Sequence, residues 1–95
     1  MTEELMSYLQ ENPDYFYIIR NKQLIAILRF LCTGGRTMEE IAKEFKLQPK
    51  ILKPTLEDLV KKKVITTMNV DNETVYVLEF NGQRVLDLLG KAKQG

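Results

Sequence analysis

Between residues 43 and 53 a lysine recurs at every third or fourth position: Lys43, Lys46, Lys50 and Lys53. Each ammonium is a compact point charge with three donors, chemistry suited to phosphate oxygens. Gathered at helical spacing, such groups can track a polyanion and release its condensed counterions. The plainer reading is that lysine is common on exposed helices. Elsewhere the charge is segregated. Residues 1–19 hold Glu3, Glu4, Glu11 and Asp14 with no base, and residues 20–36 hold Arg20, Lys22, Arg29 and Arg36 with no acid, although the whole chain carries only +1.

Other chemistries find little support. The chain has no histidine, which removes the commonest general base and metal ligand and every Ser-His or Cys-His pair. One cysteine, Cys32, can build neither an internal disulfide nor a thiolate metal site and fits a reducing cytoplasm. Near the end of an apolar helix, a buried structural thiol is expected there rather than a redox sensor. Glu39-Glu40 and Glu57-Asp58 are adjacent on helices, where neighbouring side chains diverge by about 100°, so capping and solvated faces explain them better than acid-base work. No catalytic residue, metal site or cofactor is expected. At 95 residues, 44% hydrophobic and 28% charged, the chain reads as one ordinary globular domain. Arg20, Lys22 and Arg29 interrupt the apolar stretches, so no membrane span is expected, and the acidic start is unlike a signal peptide.

The lysines sit on a recognisable frame. Thr37 and Glu40 form a capping box opening a helix with Ile41, Ala42 and Phe45 on one face. Lys46-Leu47 make a turn with Leu47 pointing inward, and Gln48-Pro49 open the next helix, proline at its favoured first position. Leu52, Leu56, Leu59 and Val60 supply that helix's apolar stripe. This is a helix-turn-helix. Residues 64–70 and 74–80 are β-branched and aromatic runs separated by Asp71-Asn72-Glu73, a hairpin pattern. The spacing predicts helices over 21–33, 38–46 and 49–62, a hairpin over 64–80 and a helix over 84–92. Leu24, Ile27, Leu28, Leu31, Ile41, Leu52, Leu56, Leu59, Leu78 and Leu86 should form the core.

A helix-turn-helix with an appended hairpin resembles the winged helix-turn-helix domains of ArsR- and MarR-type transcription regulators. The likeness spans about residues 21–90. NKQLIAILRFLCTGG resembles the family's first helix, stopped at Gly34-Gly35, and Tyr76, Leu78 and Gly82 match its Y-x-L-x-x-x-G passage from wing to last helix. The resemblance implies a mainly α fold with a small hairpin: a three-helix core, a wing and a C-terminal helix over residues 21–95, preceded by an apolar helical extension over 1–20. It implies a cytoplasmic regulator of double-stranded DNA with the second helix in the major groove. The candidate nucleic-acid contacts are then Thr37, Lys43, Lys46, Gln48, Lys50, Ile51, Lys53, Thr55, Asn69 and Asn72.

Regulators of this class usually pair about a two-fold axis to match half-sites. Leu5, Leu9, Tyr15, Phe16, Ile18, Ile19, Leu88 and Leu89 are the candidate homodimer contacts, unless the 15–19 run simply covers the core. Two departures favour another partner. Pro54 occupies a place where relatives often carry a hydrogen-bonding side chain, and it must either kink the helix or start its regular part. The wing has no Lys or Arg from Thr66 to Thr74, with Asp71 and Glu73 at its tip. The alternative is a winged-helix module in a multiprotein assembly, contacting protein through Ile51, Pro54 and Met68. Fold alone does not choose between them. The KKK run at 61–63 reads as a solvated helix end.

Overall fold

The computed structural model describes residues 2–94; Met1 and Gly95, the outer ends of the expected extension and domain, lie outside the described residues. The order is α1 (Glu3–Glu11), a single 3₁₀ turn (Pro13–Tyr15), α2 (Phe16–Arg20), α3 (Lys22–Cys32), β1 (Arg36–Thr37), α4 (Met38–Phe45), α5 (Pro49–Lys61), β2 (Ile65–Val70), β3 (Glu73–Leu78) and α6 (Phe80–Gln94). This is a winged helix-turn-helix. Helix ends agree with the predicted ones to within a residue or two, apart from α6, which begins four positions early, at Phe80 instead of Arg84. Glu79 N–H donates to Val64 O at 3.0 Å and Gln83 N–H to Glu79 O at 3.0 Å, so the turn leaving the strand is already helical.

Side-chain caps define the starts of α1, α3 and α4. Thr2 Oγ1 accepts from Leu5 N–H at 3.2 Å, and Asn21 Oδ1 accepts from Gln23 and Leu24 N–H at 3.0 and 3.1 Å. The α4 capping box is complete: Thr37 Oγ1 accepts from Glu40 N–H at 3.2 Å and Glu40 Oε1 from Thr37 N–H at 3.0 Å. The Thr37 amide holds the Glu40 carboxyl below the usual carboxylate range.

The apolar faces meet in one core. Ile27, Leu28 and Leu31 of α3, Ile41 of α4, Leu52, Leu56 and Leu59 of α5, and Val85 and Leu88 of α6 are all essentially inaccessible. Leu78 and Leu86, also expected inside, are only half-buried at its margin. Pro54 neither ends nor starts α5, which runs through it. Proline removes one helical hydrogen bond, that to Lys50 O, and here it sits on the exposed face, where water can satisfy the freed carbonyl. Cys32 is exposed and not the buried thiol expected, because the last turn of α3 rolls it outward to Gln83, Sγ to Oε1 3.4 Å.

The sheet has three antiparallel strands in the order β1-β3-β2, where the sequence predicted only the hairpin. β1 pairs Arg36 with Tyr76 and Thr37 with Val75. The hairpin loop is two residues, Asp71-Asn72, closed by Val70 opposite Glu73, so Glu73 belongs to the strand. Both loop residues have positive φ, 51° and 68°, the type I′ geometry that Asn and Asp tolerate best after glycine. Gly82 fixes how the wing meets α6. A Cβ there would lie 2.3 Å from Val64 O and 2.6 Å from Leu78 Cδ1, and only glycine allows that approach.

Candidate nucleic-acid interface

Two helices and a left-handed turn display the lysines. Lys46 ends α4 with φ 54°, and Leu47 N–H closes the turn onto Ala42 O at 2.9 Å. The chain then enters α5 with Gln48 as its N-cap residue, whose side chain makes no capping bond. Lys43, Lys46, Gln48, Lys50, Ile51 and Lys53 are all exposed, and among the described residues none of the four lysines forms an ion pair. On α5 the outward ridge runs Lys50, Lys53, Pro54, Glu57 and Lys61, opposite Leu52, Leu56 and Leu59. Its N-terminal half is basic, with helix amides that favour an anion at the same end.

The remaining candidates stand elsewhere. Thr37 is half-buried with its hydroxyl used by the capping box. Thr55 is half-buried on the flank of the ridge, lining a hollow together with Tyr17, Asn21, Leu24, Pro54 and Asp58. Asn69 is exposed on the wing, and Asn72 is exposed but placed in the I′ turn, a backbone reason for its type. Arg36, part of the basic 20–36 run, is engaged: its guanidinium lies 4.6 Å from the Phe30 ring centre, donates to Thr33 Oγ1 at 3.0 Å and stands 3.7 Å from Glu40.

The other side of the motif is acidic. Thr37, Met38, Glu39, Glu73, Thr74 and Tyr76 line a hollow between the start of α4 and the wing. Burial raises the Tyr76 hydroxyl above the usual tyrosine range, and the charges of Glu57 and Glu39 raise it further. Asp71 and Glu73 extend this negative surface to the wing tip.

A contact the sequence did not disclose braces α5 from behind. Tyr15 Oη donates to Lys62 O at 2.9 Å, and Tyr17 Oη donates to the Asp58 carboxylate. Lys62 Nζ lies 2.7 Å from Asp58 Oδ2, 3.0 Å from Tyr17 Oη and 4.1 Å from the Tyr17 ring centre. Lys62 is therefore no solvated helix end, and Asp58 faces α2 instead of a ligand. The hydrogen bond from Lys62, then that from Tyr17, holds the Asp58 carboxyl below its ordinary value. Desolvation, then the bond to Asp58, pushes the Tyr17 hydroxyl up. For Lys62, burial works downward, but the bonds to Asp58 and Tyr17 outweigh it and leave the ammonium above its usual value. Nothing in the local spacing of Tyr15 and Tyr17 signals partners more than forty positions away.

The same packing redefines the expected dimer contacts. Leu5, Leu9, Tyr15, Ile18 and Leu88 are already buried by their own chain, so a partner could touch only Phe16, Ile19 and Leu89 of that set, which are half-buried. Met6, at 37% exposure, adds apolar surface on the outer side of α1. Among the described residues, no group of three or more His, Cys, Asp or Glu is placed to hold a metal ion, and no helix is long and apolar enough to cross a membrane.

No protein-family model matches the chain, and no curated protein sequence does. Solved structures match its fold. The crystal structure of RV1404 from Mycobacterium tuberculosis superposes with a TM-score of 0.73 at 17% identity, over 78% of this chain and 53% of that one. This chain thus spans about half the length of that protein. The homodimeric winged helix-turn-helix DNA-binding domain of a possible ArsR-family transcriptional regulator from Mycobacterium bovis gives 0.76 at 16% identity, over 99% of this chain and 88% of its own. The reduced form of the transcriptional regulator YodB from B. subtilis gives 0.73 at 15% identity, over 99% and 89%.

Proposed function

We propose that this chain binds double-stranded DNA as a homodimer and regulates transcription in the cytoplasm, with the N-terminal half of α5 in the major groove. The observation that carries the reading is the set Lys43, Lys46, Lys50 and Lys53, exposed around the helix-turn-helix turn and, among the described residues, without ion pairs. Cations so placed serve phosphates and fix register; they carry little sequence information. Base contact falls to Gln48 and Ile51, since Pro54 offers no donor. The fold is shared with structures described as DNA-binding or as transcriptional regulators, one of them homodimeric, which supports both the partner and the two-fold pairing. Phe16, Ile19, Leu89 and Met6 are the apolar surface left for that pairing.

The test is a titration of duplex DNA with the intact chain and with Lys50→Glu/Lys53→Glu. Both side chains are exposed, so the fold should survive while binding falls below detection. Equal affinity for the two proteins would exclude α5 as the contact. A protein-interaction reading draws on the acidic hollow and wing and on the exposure of Ile51 and Met68, 59% and 54%. It gains the lead if duplex DNA fails to bind even at low salt.

A further inference from the structure

β2 is the free edge of the sheet, and it lacks the usual protection. β1 and β3 are neighbours, as are β3 and β2, so among the described residues one side of β2 has no partner strand. Natural edges carry lysine, proline, bulges or inward charges against pairing with another chain. From Val64 to Val70 there is no charge and no proline, and the pairing with β3 is continuous from Ile65 to Val70, without a bulge.

The hairpin geometry says which groups are free. In a two-residue I′ hairpin the closing pair, Val70 and Glu73, exchanges both backbone hydrogen bonds, and such pairs alternate along the ladder. Met68–Val75 and Thr66–Val77 belong to the same class. The N–H and C=O groups of Thr67 and Asn69 therefore point away from β3. Both residues are exposed, whereas Val64 and Ile65 are buried, so the accessible edge runs from Thr66 to Val70.

We infer that this edge pairs with the same edge of a second copy, antiparallel and centred on Met68. That register matches the accessible stretch with itself completely. Thr67 of one copy meets Asn69 of the other, twice, using the free groups of both. Met68 faces Met68 and Val70 faces Thr66 on the outer side, covering two of the most exposed apolar side chains, at 54% and 48%. Charge agrees: antiparallel strands lay each acidic tip, Asp71 and Glu73, beside the other copy's Lys63, and among the described residues none of these three forms an ion pair. The contact is separate from the apolar helical surface proposed for the DNA-binding dimer and needs no DNA, so it would join such dimers into larger assemblies.

Cross-linking at single cysteines tests the register in the free protein. In a Cys32→Ser background, Met68→Cys places two thiols across a non-hydrogen-bonded pair, where Cα atoms lie about 4.5 Å apart, inside the range a disulfide spans. Thr67→Cys and Asn69→Cys each sit two residues out of step with their own copies, beyond about 7 Å. With oxidised glutathione, Met68→Cys should yield several-fold more covalent dimer than either neighbour. Adding Thr67→Pro should abolish it, because proline removes an edge donor while leaving the β3 ladder intact. Equal yields at the three positions, no dimer at Met68→Cys, or persistence with Thr67→Pro would each overturn the pairing. Because DNA is absent, a failure here leaves the DNA reading untouched, and loss of DNA binding would leave this result standing.

Discussion

The turn between α4 and α5 and the wing stand on one frame, yet they carry opposite charge. Around the turn, four lysines project into solvent, and among the described residues none forms an ion pair. Around the wing, Asp71 and Glu73 reach outward, and Glu39 and Glu57 bear on Tyr76 behind them. Of the two, only the turn presents a cluster of cations. The comparison teaches that the fold positions two surfaces and that side-chain charge sets which of them would suit a polyanion. The wing is left for other contacts.

The largest expected effect breaks the basic region from beneath. Leu56 is fully buried under the α5 ridge, and Leu56→Ala should cost about 2 to 5 kcal/mol by lost transfer energy and the cavity left behind. Chemical denaturation measures it; a cost under half of the lower bound would mean that α5 is not seated as described. Next comes the wing's anchor. Gly82→Ala forces a methyl onto Val64 O, and strain of this kind costs about 1 to 3 kcal/mol. Its amide-exchange protection should fall first in β2 and β3. Uniform loss across α4 and α5 would deny that the wing is separately held.

Charge reversal sharpens the contrast itself. Asp71→Lys with Glu73→Lys should tighten duplex binding about tenfold at moderate salt by adding phosphate contacts. Unchanged affinity would place the wing away from the DNA altogether.

The smallest effect concerns the brace. Asp58→Asn should cost about 0.5 to 1 kcal/mol at neutral pH, the scale of a partly exposed pair. The folded carboxyl titrates below its ordinary value, so its stabilisation is present above the unfolded pKa of about 3.9 and lost as pH falls through the folded one. The gap between wild type and variant in thermal melts should therefore close in acid. A gap that widens there would reverse the assignment.

What the sequence made legible follows from where the signal is local. Thr37 and Glu40 announce a capping box within four residues, and both bonds form. The passage from Tyr76 and Leu78 to Gly82 announces a close approach that the backbone then requires. β1 was hidden because two residues carry no periodicity and only pairing with β3 makes them a strand. The engagement of Lys62 and Asp58 was hidden because Tyr15 and Tyr17 arrive from more than forty positions away. Cys32 misled for a related reason: an apolar helix near its end buries one face only, and rotation by a single residue decides which. Of the candidate contacts, the lysines were legible by spacing, while Asn72 turns out to hold a positive-φ place in the hairpin turn that its type alone does not reveal.

The salt dependence of duplex binding tests the central claim most directly. Two subunits, each engaging about two or three of Lys43, Lys46, Lys50 and Lys53, should give a slope of log affinity against log salt of about −4 to −5. Replacing Lys50 and Lys53 by neutral glutamine should flatten that slope by about two contacts' worth per subunit. A slope near zero, or one that the substitutions leave unchanged, would contradict the assignment of this lysine cluster to DNA.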